Sequence, residues 1–138
     1  VIFWRIAMKP GRPMAVGKRN HQLVICLPGN PVATFVCYRL IVAPLLDYLQ
    51  CGSVSNPLRI ALPVLFRHTK SENRAEYLRA RLVQDTDGKT CIDLYGRKGA
   101  GVISSLTGAD GLVEIPIENS GVEPGMFLNF LPFMERCL

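Results

Sequence analysis

The first 46 residues contain neither aspartate nor glutamate; Asp47 is the first acid. Nothing in that third of the chain could act as a carboxylate ligand to a hard cation. The same stretch holds Arg5, Lys9, Arg12, Lys18, Arg19 and Arg39. Charge this one-sided points to an anionic partner more than to a merely solvated face. The other end differs, with Asp110, Glu114, Glu118, Glu123 and Glu135 set against Arg136 in residues 99–138. Histidine is scarce, and His21 and His68 read as surface or loop residues, not as a catalytic pair. The five cysteines, Cys26, Cys37, Cys51, Cys91 and Cys137, lack zinc-ligand or redox-motif spacing. They read as reduced structural thiols of a reducing, cytoplasmic compartment. No secretory signal is visible, because Arg5 interrupts the opening apolar run and no small-residue cleavage site follows. The longest apolar run, Val32 to Leu49, contains Arg39, Pro44 and Asp47, so it reads as a buried helix and no membrane partner is expected.

What is present suits a packed protein: 138 residues, 49% hydrophobic and 20% charged. The chain opens on Val1 in what looks like a strand already under way, so its start reads as a cut. Val1 to Met8 reads as that strand, and Trp4 and the four methionines as core residues. Lys9-Pro10-Gly11-Arg12-Pro13 must be a turn or extended loop. A short strand over Met14 to Val16, a polar tip over Gly17 to His21 and a largely buried strand over Gln22 to Leu27 follow. Asn30 then suits a helix N-cap and Pro31 the first helical position. The helix is expected over Val32 to about Ala43. Pro44 should kink it or start a second one, and Gly52 should terminate it.

Cys51 to Pro57, rich in Gly, Ser, Asn and Pro, is the candidate domain boundary. The domains read as residues 1–52, the end of an α/β domain, and residues 53–138, a small β-barrel with no helix between its strands. Its strands are expected over Leu58 to Phe66, Glu76 to Gln84, Thr90 to Tyr95, Gly111 to Ile117 and Met126 to Phe133. Asp87-Gly88 and Pro124-Gly125 should form turns.

The most informative local feature is strand, then Leu27-Pro28-Gly29-Asn30-Pro31, then helix. A helix N-terminus offers unpaired N–H groups and a partial positive charge, both of which favour an anion. Gly29 would let a ligand approach the backbone. On physical grounds alone the loop serves equally well as a rigid connection or as an anion seat.

The runs FWRIAMKPGRP (Phe3 to Pro13) and LPGNPVA (Leu27 to Ala33) resemble the C-terminal half of molybdenum cofactor synthesis proteins. That family comprises the bacterial molybdopterin molybdenumtransferases and the related domain of gephyrin. EYLRARL (Glu76 to Leu82), SSL (Ser104 to Leu106) and ADGLVEIP (Ala109 to Pro116) continue the likeness in order, over nearly the whole chain. The resemblance implies insertion of molybdate into adenylylated molybdopterin, with magnesium and with release of AMP. It also implies a homodimer, and acidic metal ligands and glycine-rich segments upstream of these residues, so that this piece would be inactive alone. By the same resemblance the substrate-binding residues are Arg5, Lys9, Pro28, Gly29, Asn30, Pro31 and Arg79; the catalytic residues are not identified. Arg5, Ala7 and Lys9 would share a face if their segment is a strand. One departure is Gly99-Ala100-Gly101, where the family often has a serine that Ala100 cannot replace as a hydrogen-bonding group.

Two other classes compete. A gephyrin-like scaffold would bind a receptor peptide on an exposed apolar patch, with Phe127, Phe130 and Phe133 as candidates, although barrel core is the favoured reading of those three. A nucleic-acid-binding barrel fits the pI near 9.1 but not the charge pattern, which is densest before the barrel, so no nucleic acid is expected.

Overall fold

The structure, a computed structural model, describes residues 1–70, 73–96 and 104–134; the Gly99–Gly101 departure lies outside them. The chain forms two compact units, Val1–Pro57 and Leu58–Leu138. The architecture is mixed α/β with mostly sheet.

In the first unit, β1 (Phe3–Trp4), β3 (Ala15–Arg19) and β4 (Gln22–Cys26) form an antiparallel sheet in the order β1-β3-β4. The β3–β4 hairpin closes on Asn20 and His21, with Arg19 opposite Gln22 and a left-handed Asn20. The first segment is not one strand. It breaks at Arg5, which has φ 66°, before β2 (Met8–Lys9) resumes the extended chain. That break removes the alternation that would have put Arg5, Ala7 and Lys9 on one face. Trp4 is 62% exposed, whereas Met8 and Met14 are buried and Met126 and Met134 are exposed. The expectation that all five are core therefore holds for two of them. β4 is mostly exposed within this unit, with Leu23 and Val24 among the exposed apolar residues, not buried as its composition suggested.

The helix spans Pro31–Cys51 as α1 (Pro31–Cys37), a π-turn segment (Tyr38–Val42) and α2 (Ala43–Cys51). Pro44 lies in the first turn of α2, close to the start expected for a second helix, although the helical run continues into it without a gap. Its ring would meet the carbonyl one turn back, and the wider turn just before it relieves that crowding, with the Ala43 N–H donating to the Tyr38 carbonyl five residues earlier. Gly52 ends the helix in a left-handed conformation, its N–H donating to the Tyr48 carbonyl at 2.8 Å. Ala33, Val36, Cys37 and Val42 are buried, while Tyr38, Leu46, Tyr48 and Leu49 are exposed, so the helix is buried along one side only. By length and composition alone it could cross a membrane, a test that core helices also pass.

In the second unit β5 (Ile60–Pro63), β7 (Ala75–Gln84), β8 (Thr90–Leu94), β9 (Gly111–Ile115) and β11 (Phe127–Pro132) form one antiparallel sheet, ordered β8-β7-β9-β11-β5. A second pair joins β6 (His68–Thr69) to β10 (Gly121–Val122). The expected closed barrel is not formed as a continuous ladder. The edges meet at one parallel bridge, Val64 to Ile92, with the Leu65 N–H donating to the Ile92 carbonyl at 2.9 Å. A one-turn helix, α3 (Ser104–Thr107), also interrupts what was read as an all-strand segment.

The sheet's period of two sorts its side chains. Leu78 and Ala80 on β7 share a face with Val113 and Ile115 on β9, Leu128 and Phe130 on β11 and Ile92 on β8. Each large side chain in that core contributes roughly 1.5–3 kcal/mol of apolar burial. Phe130 lies in this core, but Phe127 is 69% exposed, contrary to its reading as core. His68 is no surface histidine either: its Nε2 meets Glu76 Oε2 at 2.7 Å with both side chains buried.

Candidate functional site

The Lys9-Pro10-Gly11 turn and the Pro28–Pro31 loop both belong to the first unit and both rest on α1. Gly11 is buried with φ 119°, and a Cβ there would come within 2.5 Å of Cys37 Sγ and 2.7 Å of Met8 Cε. Only glycine fits that position, because the backbone conformation and the lack of space both exclude a side chain. Cys37 Sγ in turn donates to the Gly11 carbonyl at 3.8 Å. Burial pushes the Cys37 thiol up from its ordinary pKa, so it serves as packing and not as a nucleophile. Lys9 is exposed beside this anchored turn.

At the other end of α1, about 9 Å away along the helix axis, Asn30 caps the first turn. Its Oδ1 accepts from the Val32 N–H at 3.0 Å and the Ala33 N–H at 3.2 Å. The cap is the one expected from sequence, and it has a consequence for ligand binding. Pro31 has no N–H and the next two are taken, so the exposed backbone donors left to an anion are those of Gly29 and Asn30 themselves. Thr34 holds the loop from behind, its hydroxyl donating to the carbonyls of Pro28 and, at 3.1 Å, Asn30. Pro28 is buried; Gly29, Asn30 and Pro31 are exposed. A Cβ on Gly29 would meet nothing within 4 Å. Internal packing therefore gives no reason for a glycine there.

Arg5 pairs with an aromatic ring: its guanidinium carbon is 4.3 Å from the centroid of Trp4. Arg79 belongs to the second unit, where it is half-buried on β7 and its guanidinium lies next to Gly96. The structure thus brings Lys9 and Pro28–Pro31 onto one helix and gives Arg5 a different neighbour. Two participants escaped the sequence reading. Thr34 could have been found as a hydroxyl on the first helical turn, within reach of the carbonyls before it. Trp4 gave no signal, because an aromatic inside an apolar run reads as core.

The second unit also carries a polar cluster on the face of β9 opposite the core. Arg59 Nε and Nη2 donate to Glu114 Oε2 at 3.2 and 3.1 Å, and Tyr77 lies directly across from Glu114. Burial, and after it the charge of Glu114, pushes the Tyr77 phenol up to about 12. Among the described residues, no group of three or more His, Cys, Asp and Glu could hold a metal ion.

Residues 61–133 match the model of the MoeA C-terminal region, domain IV, and residues 1–48 match that of a probable molybdopterin binding domain. The chain belongs to the MoeA family. It is 28% identical over 134 residues to the molybdopterin molybdenumtransferase of Haemophilus influenzae, covering 96% of this chain and 33% of that protein. It is 31% identical over 127 residues to the enzyme of the same name from Synechocystis, covering 87% and 28%. The molybdenum cofactor synthesis protein cinnamon of Drosophila melanogaster is 28% identical over 120 residues, covering 84% and 19%. A Pyrococcus horikoshii MoeA structure superposes with a TM-score of 0.76 over 96% of this chain and 32% of its own, at 23% identity. A Pyrococcus furiosus molybdenum cofactor biosynthesis protein gives 0.73 over 96% and 45%, at 26% identity. The chain spans about a third or less of the curated relatives it matches. Membership in the MoeA family sets it in molybdenum cofactor biosynthesis, and these relatives do not favour the gephyrin-like scaffold.

Proposed function

We propose that this chain forms part of a molybdopterin molybdenumtransferase that inserts molybdate into adenylylated molybdopterin and releases AMP. The observation that carries the reading is the anchoring of the Lys9 turn and the Pro28–Pro31 loop on one helix, within a stretch that holds no carboxylate before Asp47. Every organic or oxyanion participant in that reaction is negatively charged, and this stretch supplies cations and exposed backbone donors but no carboxylate of its own before Asp47.

The roles follow from the side chains. Lys9 is a compact point charge that neutralises phosphate or molybdate oxygens. Gly29 admits the ligand to the backbone, and Pro28, Asn30 and Pro31 keep that loop in one conformation. Arg79 is a further cation for the same class of ligand. Magnesium, implied by the family, finds no fitting ligand set among the described residues, so these residues contribute positioning and charge neutralisation. A cytoplasmic homodimer, with the helix part of a soluble α/β domain, and a barrel-like second domain complete the reading.

The test is calorimetric titration of molybdopterin into the chain and into Lys9→Ala and Gly29→Ala. Weakening by roughly tenfold in each variant, equivalent to about 1.4 kcal/mol, supports the assignment. Equal affinity in all three removes this surface from the binding site.

A further inference from the structure

Trp4 is the chain's single tryptophan, and it carries a cation on its ring. Neighbours in a regular strand point to opposite faces, so consecutive side chains cannot stack. Arg5 does so because it has φ 66°, a left-handed conformation that a residue with a long side chain seldom adopts. The backbone holds it there from both sides. The Arg5 N–H donates to the Met14 carbonyl at 3.1 Å and the Ile6 N–H to the Arg12 carbonyl at 3.0 Å. Hydrophobic packing does not require this arrangement, since both residues are exposed. Strain of this kind, held by surrounding structure at an exposed position, is a mark of a functional site.

An exposed indole with a guanidinium fixed on one face is a ready platform for a flat ring. The cation–π contact sets the plane of the indole in advance, which lowers the ordering cost of a ligand that stacks on it. Stacking alone would accept any planar heterocycle. Arg5, in a stretch without acids before Asp47, narrows the choice to a heterocycle that carries negative charge. We infer that Trp4 and Arg5 stack the pterin ring of the substrate, an assignment that rests on the molybdopterin-binding reading above. The ring lies on the open face of the indole, and Arg5 on the opposite face fixes the indole and keeps a positive charge beside the ligand's anionic tail.

The single tryptophan makes the test direct. The 138-residue chain is titrated with 6-hydroxymethylpterin while Trp4 fluorescence is followed, and separately with inorganic phosphate in a calorimeter. Saturable quenching is expected, beyond that of free tryptophan at the same pterin concentrations. Arg5→Asn, which keeps a residue tolerant of the left-handed conformation and removes the guanidinium, should weaken pterin binding several-fold. Trp4→Ala should abolish the heat of pterin binding and leave that of phosphate unchanged, and Trp4→Phe should fall between, which decides the matter should Trp4→Ala fold poorly. Pterin binding with equal affinity in Trp4→Ala and Trp4→Phe overturns the inference. So does the absence of saturable quenching. If phosphate still binds and is lost in Lys9→Ala, the anion site stands and only the stacking fails; if neither ligand binds, the functional reading falls with it.

Discussion

Cys37 Sγ lies 3.8 Å from the Gly11 carbonyl oxygen, and through that contact one end of α1 holds the turn that presents Lys9. The other end of the same helix presents Gly29 and Asn30. Two segments some twenty residues apart in sequence therefore share one rigid support, and damage at their junction should register both in stability and in binding.

Gly11→Ala is the sharpest probe of that junction. The new methyl would sit 2.5 Å from Cys37 Sγ in a backbone conformation that alanine resists, a combination expected to cost about 3 kcal/mol. Denaturant unfolding should show the loss, and the double variant Gly11→Ala, Cys37→Ala should recover the part due to the sulfur, the Met8 contact remaining. If Gly11→Ala unfolds at the same denaturant concentration as the parent chain, the turn is not anchored as described. Cys37 adds a dependence on pH. Its thiol is raised by burial above the ordinary 9.0, so above that pH the unfolded chain releases a proton that the folded chain retains. Its contribution is intact below pH 9 and is lost as pH rises through the folded value.

The cap and the glycine beside it should separate stability from binding. Asn30→Ala removes the acceptor for two helix N–H groups and should lower stability by about 1 kcal/mol. Gly29→Ala meets no neighbour and should leave thermal unfolding unchanged while weakening molybdopterin. A fall in melting temperature for Gly29→Ala would mean that the glycine serves the fold and not a ligand.

What the sequence disclosed, and what it hid, divides along physical lines. Local rules recovered local features: the Asn30 cap, Pro31 at the first helical position, the Gly52 terminator and the turn at Asp87-Gly88. Each depends on one or two residues and their immediate backbone. Features set by distant partners were harder to see. The alternation of Val1 to Met8 could not show the reversal at Arg5, which exists because the Met14 and Arg12 carbonyls hold it. Nor could composition tell that the buried carboxylate of Glu76 would bring His68 inside. The barrel expectation came from counting strands, whereas closure depends on edge pairing, which here amounts to one bridge. Of the candidate site, the loop could be read and the Trp4–Arg5 stack could not.

Tyr77 offers a test confined to the second unit. Its phenol is pushed up to about 12, first by burial and then by the charge and hydrogen bond of Glu114. An unfolded tyrosine ionises near 10. Between those values the unfolded chain gives up a proton that the folded chain keeps, so stability falls as pH rises through that window and the contribution is complete below pH 10. Phenolate absorbance, taken as the difference between the parent chain and Tyr77→Phe, should show Tyr77 titrating late. Glu114→Gln should bring it back toward the ordinary value. An unchanged titration in Glu114→Gln would leave burial as the sole cause.

Gly111 tests whether the ADGLVEIP stretch serves the fold or the ligand. It opens β9 opposite Pro132, and a Cβ at this position would lie 2.3 Å from the Leu131 carbonyl oxygen and 2.6 Å from the Phe130 ring. The first of these is backbone in the middle of a ladder and cannot move aside without separating β9 from β11. The second is a core ring already packed on Val113 and Leu128. Gly111→Ala should therefore cost about 3 kcal/mol, at the upper end for overpacking, and amide exchange should quicken along β9 and β11. A Gly111→Ala chain with parental stability and altered ligand affinity would move this glycine from the fold to the site. The close approach of two strands then could not be what holds it as glycine.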